Sequence, residues 1–115
     1  VGRAEQVDEA LMDCVVGISG SSPAYVYLFI EALADGAVAL GMARKQAYTF
    51  AAQAVAGSAE MVLQTEIHPG ELKDRVCSPG GATIEAVETL EQNGFRSAVM
   101  TAVKAAAEKS AQMTK

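Results

Sequence analysis

The run from Pro23 to Leu40, Pro-Ala-Tyr-Val-Tyr-Leu-Phe-Ile-Glu-Ala-Leu-Ala-Asp-Gly-Ala-Val-Ala-Leu, is apolar nearly all round a helical circumference. A helix of that kind has to be covered on most of its sides. A second apolar helix, rich in small residues, follows at about 44–65. Covering both is difficult in 115 residues, which allow one domain with a modest core. A second copy supplies the missing cover most simply. The expected fold class is therefore all-α, a helical bundle interleaved in a symmetric dimer.

Composition supports helices packed closely through small side chains. Half the residues are hydrophobic, only 5% are aromatic, and alanine fills 22 of the 115 positions. The formal net charge of −5 argues against nucleic acid, because binding phosphate backbones needs clustered Lys and Arg. Glu31 and Asp35 interrupt the apolar run Tyr25 to Leu40, so no membrane span is expected. Val1-Gly2-Arg3-Ala4-Glu5 has no signal-peptide pattern, and the first residue is not Met. Cys14 and Cys77 lie far apart without CxxC spacing, which fits a reducing compartment and a cytoplasmic location. No His/Cys/Asp cluster has metal-ligand spacing, so no metal is expected.

Almost every segment reads as helix. The expected spans are about 4–15, 23–40, 44–65, 71–76, 81–92 and 95–112. In the first, Val7, Leu11, Cys14 and Val15 fall at helical spacing. Val15-Val16-Gly17-Ile18 reads as a helix end and Ser19-Gly20-Ser21-Ser22 as a loop, with Ser22 as N-cap and Pro23 at the first helical position. Gly41 serves as a C-cap. Ala51, Ala52, Ala54, Ala56, Gly57 and Ala59 predict close helix contacts in the third span. His68-Pro69-Gly70 breaks that helix, and Asn93-Gly94 caps the fifth. Ile84, Val87 and Leu90 share one face, and Val99, Val103 and Ala106 share another.

Ser78-Pro79-Gly80-Gly81-Ala82-Thr83 stands immediately before an amphipathic helix. The first amides of a helix have no internal acceptor, and the helix dipole makes that end positive. Two glycines let an anion approach the backbone with no Cβ in the way. Thr83 adds a hydroxyl that donates or accepts. Such a place suits a small carboxylate. Taken alone, Gly-Gly-x-Thr reads as the start of an ordinary helix.

Four blocks in order carry a family resemblance. They are Ser19-Gly20-Ser21-Ser22-Pro23-Ala24-Tyr25, His68-Pro69-Gly70, the long Leu72-Lys73-Asp74-Arg75-Val76-Cys77-Ser78-Pro79-Gly80-Gly81-Ala82-Thr83-Ile84, and Asn93-Gly94-Phe95-Arg96. From about Leu11 onward the chain resembles the C-terminal dimerisation and substrate domain of pyrroline-5-carboxylate reductases. Residues 1–115 are then that one domain, and the N-terminal Rossmann half lies outside the chain, because no strand with a G-x-G-x-x-G turn is present. Ser22 stands where the family often has Gly, and Cys77 where it often has a small hydroxyl residue.

The resemblance implies reduction of 1-pyrroline-5-carboxylate to L-proline with NAD(P)H, the last step of proline biosynthesis, by the full-length protein. It implies NADPH or NADH as cofactor there and none for these 115 residues alone, which are expected to be inactive. It implies a homodimer and leaves further assembly open. Ser78, Gly80, Gly81, Ala82 and Thr83 are implied to hold the substrate carboxylate, Thr83 to contact the ring nitrogen as the catalytic residue, and Glu66 to face the substrate amine. His68 reads as a structural loop residue, and Cys77 lacks a local base. Tyr25 and Tyr27 read as core or dimer contacts. Two alternatives remain at this point: a non-enzymatic dimerisation module that keeps an anion pocket, and a related Rossmann-plus-helical-domain reductase for another imino or hydroxy acid.

Overall fold

The computed structural model describes residues 8–113, all of whose regular elements are helical. A 3₁₀ turn, Glu9–Leu11, leads into α1, Met12–Val15, which runs on through a π-helical turn, Val16–Gly20. Then come α2, Ser22–Ala39; α3, Arg44–Thr65; α4, Pro69–Val76; α5, Ala82–Gln92; and α6, Phe95–Met113. The chain divides into two units. One joins the described residues up to Tyr25 to those from Gly94 onward, and the other is Val26–Asn93.

In the first unit, α1 and its π-turn pack on α6. Gly17 is buried, and a Cβ there would lie 2.7 Å from the Val103 carbonyl oxygen. One turn earlier, Asp13 Oδ1 accepts a 2.8 Å hydrogen bond from Ser110 Oγ. The face on α6 is thus Asp13 and Gly17. Leu11 and Cys14, expected to point inward, are exposed, and Val7 lies outside the described residues.

The expected loop at Ser19–Ser22 is helical instead. The Ser21 amide donates to the Val16 carbonyl over 2.7 Å, an i→i+5 bond. Pro23 accounts for it. A proline ring collides with the carbonyl four residues back and offers no amide, so the turn before it widens. Ser19 Oγ donates to the Val15 carbonyl over 3.0 Å, and Ser22 Oγ donates to the Ile18 carbonyl. Ser22 is therefore not an N-cap: its hydroxyl bonds backward to a carbonyl.

In the second unit, α2 meets α3 through alanines. Ala34, Ala47 and Ala51 form the buried cluster, with Ile30, Ala37, Val38, Met42 and Tyr48 against it. Small side chains at the crossing let the two backbones approach. Gly41, at φ 109°, turns the chain between the two helices, and its amide donates to the Val38 carbonyl over 2.9 Å. Arg44 Nη1 donates to Asp35 Oδ1 at 2.8 Å, and its guanidinium lies 5.8 Å from the Tyr48 ring centre. The bond to Asp35, then that to Tyr48, holds the Arg44 guanidinium above its ordinary pKa. The pair is exposed, so screening leaves it little weight in stability.

Within one copy α2 is left as uncovered as the sequence reading expects: Ala34 is its one buried residue. Tyr27 and Leu28 are 67% and 65% exposed, and Leu40, just past the helix end, is 91% exposed. In α3, Ala52, Ala54, Ala56, Gly57 and Ala59 are exposed, as are Val99 in α6 and Ile84 and Leu90 in α5. The accessible surface is 8954 Å². A self-contained monomer of 11.9 kDa presents about 6,000 Å². By length and composition the helical run Met12–Ala39 is also apolar enough to cross a membrane.

Helix ends differ from the sequence reading by a residue or two. Among the described residues the first helical turn begins at Glu9, after Asp8, which is extended at φ −64° and ψ 144°; the expected start near residue 4 lies outside the described residues. Pro69 and Gly70 open α4 rather than precede it, since proline's fixed φ suits a first helical position.

Gly17 gives the stability test of this arrangement. Gly17→Val forces a branched side chain against a backbone carbonyl, and overpacking of this kind costs about 1–3 kcal/mol. Denaturant unfolding should show the midpoint lowered, with the unfolding free energy reduced by that amount. An unchanged midpoint would mean that α1 does not sit on α6 as described.

Candidate functional site

The site is assembled around the link between α4 and α5. Its four residues Ser78-Pro79-Gly80-Gly81 form a tight turn: the Gly81 amide donates to the Ser78 carbonyl over 3.1 Å, and Gly80 sits at φ 68°. Proline in the second place and a positive-φ glycine in the third are what a type II turn requires. The turn explains the glycine pair residue by residue. Gly80 supplies the left-handed backbone. Gly81 leaves room for Ser78, whose Oγ would lie 2.5 Å from a Cβ at that position.

Gly81 is then the N-cap of α5, at φ −83° and ψ 176°, and no side chain caps the helix. The first backbone bond of α5 runs from the Glu85 amide to the Gly81 carbonyl at 3.4 Å. Ala82, Thr83 and Ile84 thus present amides with no acceptor among the described residues. One sequence-based assignment changes here. The Gly81 amide closes the turn and is not a free donor, so the available amides belong to Ala82, Thr83 and Ile84, with Gly80 on the turn.

Thr83 also lines a groove of about 870 Å³ formed by α2, α3, α4 and α5. The walls are mostly apolar, with Phe29, Met61, Val62, Leu72 and Val87 among them, and Lys73 and Arg75 bring cations from α4. Sequence reasoning did not single out those two side chains. Both have carboxylate partners: Lys73 Nζ lies 3.4 Å from Asp74 Oδ1, and Arg75 Nη2 lies 2.7 Å from Glu71 Oε2. Among the described residues, no group of His, Cys, Asp and Glu has the arrangement of a metal site.

Glu66 stands apart from the turn, with no described hydrogen bond or ion pair to it. It is the C-cap of α3, and its amide donates to the Val62 carbonyl over 3.0 Å. At φ 57° it is the one described non-glycine residue in the left-handed region. Glycine or asparagine is the ordinary choice there. His68 caps α4: its Nδ1 accepts from the Gly70 amide over 2.9 Å. Gly70 has no Cβ to crowd the imidazole, since one would lie 2.9 Å from Nδ1. Cys77 is a free thiol at the end of α4, next to Ser78.

Residues 9–113 match the family described as pyrroline-5-carboxylate reductase dimerisation. The chain belongs to the pyrroline-5-carboxylate reductase dimerisation family. It is similar to the pyrroline-5-carboxylate reductase of Escherichia coli (strain K12), with 62% identity over 114 residues, 99% of this chain and 42% of that protein. The reductase of Methanosarcina acetivorans is 56% identical over 115 residues, 100% of this chain and 43% of its own length. A solved structure, Plasmodium falciparum pyrroline carboxylate reductase with NADP bound, superposes with a TM-score of 0.92 at 43% identity, covering 99% of this chain and 44% of that one. The chain therefore spans less than half the length of the curated relatives it matches.

Glu66 offers a test that separates chemistry from structure. Glu66→Gly removes the cost of a left-handed L-residue, about 1 kcal/mol. The variant should therefore unfold at a higher temperature. A carboxylate that faces substrate predicts that the full-length enzyme loses kcat/KM at the same time. A stabilised variant of unchanged kcat/KM would reduce Glu66 to a helix end.

Proposed function

We propose that this chain is the C-terminal dimerisation and substrate-binding part of an enzyme that reduces 1-pyrroline-5-carboxylate to L-proline. The observation that carries the proposal is the type II turn ending in the uncapped head of α5, with Thr83 on the wall of the groove. Unpaired amides at the positive end of a helix match a carboxylate. The Thr83 hydroxyl, on the same residue as one of those amides, matches a ring nitrogen that must be held, and an amine nitrogen that receives a proton as the C=N bond is reduced. Threonine is a weak acid, so its role is to align the ring rather than to supply the proton.

The reduced nicotinamide supplies hydride to the imine carbon when it is bound. The P. falciparum relative carries NADP. Its holder in this protein is proposed to lie in the part of the relatives that this chain does not span, and the choice between NADPH and NADH lies there too. What the 115 residues contribute is orientation: amides of Ala82 and Thr83 for the carboxylate, the Ser78 hydroxyl beside them, Thr83 for the nitrogen and Glu66 for positive charge developing at it. A carboxylate stabilises an iminium by direct charge attraction, most strongly where water is excluded.

The dimer is part of the same proposal. Surface in excess of a monomer's by about 3,000 Å² is on the scale that an obligate subunit interface hides. Asp13, Glu31 and Asp35 on the Met12–Ala39 run favour cover by protein rather than lipid. The free thiols Cys14 and Cys77 support a reducing, cytoplasmic setting.

Kinetics on the full-length enzyme test the site. Thr83→Ala removes one hydrogen bond at the reacting nitrogen, worth about 1–3 kcal/mol, and should lower kcat/KM roughly tenfold to a hundredfold, mainly through kcat. Gly81→Val pushes Ser78 out of the turn and should raise KM. Wild-type kcat/KM in both variants, with helicity intact, would remove the substrate from this turn. For assembly, sedimentation of the 115-residue chain without detergent at micromolar concentration should give a dimer. A well-folded monomer there would defeat the dimer reading.

A further inference from the structure

α4, Pro69–Val76, is eight residues long, and within one copy none of them is buried. A helix this short is marginal in water on propensity alone. Its first two residues, Pro69 and Gly70, are the poorest helix formers, although proline is tolerated at a first position. The ion pair from Arg75 Nη2 to Glu71 Oε2 at 2.7 Å braces it, but both side chains are exposed and the pair has little weight. What remains to hold α4 is its cap, His68.

Serine, threonine, aspartate and asparagine are the ordinary caps. Here an imidazole takes their place: Nδ1 accepts from the Gly70 amide over 2.9 Å, so Nδ1 is the ring nitrogen without a proton. The His68 carbonyl accepts from the amides of Glu71 and Leu72 over 2.9 and 3.1 Å. Pro69 has no amide, so His68 alone serves every amide of the first turn. Gly70 fits this arrangement. It is not among the glycines of positive φ, so left-handed backbone does not account for it. A Cβ there would lie 2.9 Å from Nδ1 and 3.1 Å from Cε1. The glycine makes room for the ring.

α4 ends where the turn ahead of α5 begins. Cys77 is its C-cap, with an amide that donates to the Asp74 carbonyl over 3.1 Å, and the next residue is Ser78. Leu72 and Val76 of α4 line the same groove as Thr83. We infer that His68 is a positioning residue for the Ser78–Gly81 turn: its Nδ1 cap, made possible by Gly70, keeps α4 helical from its first residue and so sets where the turn and the head of α5 lie against the groove. The inference rests on the proposed role of that turn in holding the substrate carboxylate, and it adds a residue that touches no substrate. Without the cap the first turn of α4 frays at Gly70, and the turn beyond its far end is held less firmly. Carboxylate binding weakens, while the groups at the reacting nitrogen are unchanged.

Steady-state kinetics on full-length variants test it, with Thr83→Ala and Gly81→Val measured alongside. His68→Ala removes the acceptor and should raise KM for 1-pyrroline-5-carboxylate about five- to tenfold, with kcat within about twofold of wild type. His68→Asn offers an oxygen to the same amide and should bring KM back to within about twofold of wild type. Gly70→Ala reverses the sign expected from propensity. Alanine is the better helix former, so by that effect alone α4 is strengthened. Its methyl evicts the imidazole, so KM should rise as in His68→Ala, and the double variant His68→Ala/Gly70→Ala should be no worse than either single one. Should His68→Ala fail to fold, Gly70→Ala and His68→Asn decide. Unmoved KM in His68→Ala and Gly70→Ala, with Thr83→Ala and Gly81→Val impaired, overturns the inference and leaves the turn's role standing. His68→Asn as impaired as His68→Ala also overturns it, since the cap would then not be what the imidazole supplies. Wild-type kinetics in all of these variants overturns both.

Discussion

The alanine crossing of α2 and α3 is the constraint on which the second unit depends. Ala34, Ala47 and Ala51 bury themselves by bringing two backbones together, and that leaves the larger side chains of both helices pointing elsewhere. A core made of methyl groups holds little apolar area, at roughly 25 cal/mol per Å². Tyr27, Leu28, Phe50 and Met61 all remain outside it. The result is a half-finished hydrophobic interior, and its completion has to come from outside the chain. Helices that look over-apolar in isolation make sense as halves of a shared core.

The turn ahead of α5 depends on a different kind of economy. Ser78-Pro79-Gly80-Gly81 uses proline to set one backbone angle and glycine to allow the next, so the chain reverses within four residues and delivers α5 with its first amides uncapped. An uncapped helix start is a small loss of stability, since a side-chain cap contributes about 1 kcal/mol. Elsewhere the chain provides that cap: His68 does so for α4. Two neighbouring helices thus start differently, one capped by its own side chain and one left open beside a groove. Glu66, held left-handed at the end of α3, is a second local cost close by in sequence.

Much of this was legible in the residues. The six helical spans emerge from periodicity and breakers, and the turn and its glycines from Ser-Pro-Gly-Gly. Local rules suffice there, because caps, breakers and turn angles act within four or five residues. The π-turn at Val16–Gly20 was not legible, although its cause, Pro23, was in plain view. Proline's effect on the preceding turn depends on whether tertiary contacts hold that turn helical, and here Gly17 against Val103 does so. The inward face of α1 was misread for a related reason. Periodicity favoured Leu11 and Cys14, whereas the closest contact to α6 was made by the residue with no side chain. The amide of Gly81 looked like a free donor until the turn's own hydrogen bond took it.

By itself, then, the sequence determined what acts locally: an all-helical chain, its breakpoints, the type II turn ahead of α5, and a surplus of apolar helix surface that one copy cannot cover. Tertiary structure decided what depends on distance. It put Thr83 on the wall of a groove shared by four helices, set Lys73 and Arg75 in that wall, left Gly57 open within it, and matched Asp13 to Ser110 across 97 positions of sequence. Helix phase and crossing angle settle such meetings, and both arise from how side chains of unequal size pack together.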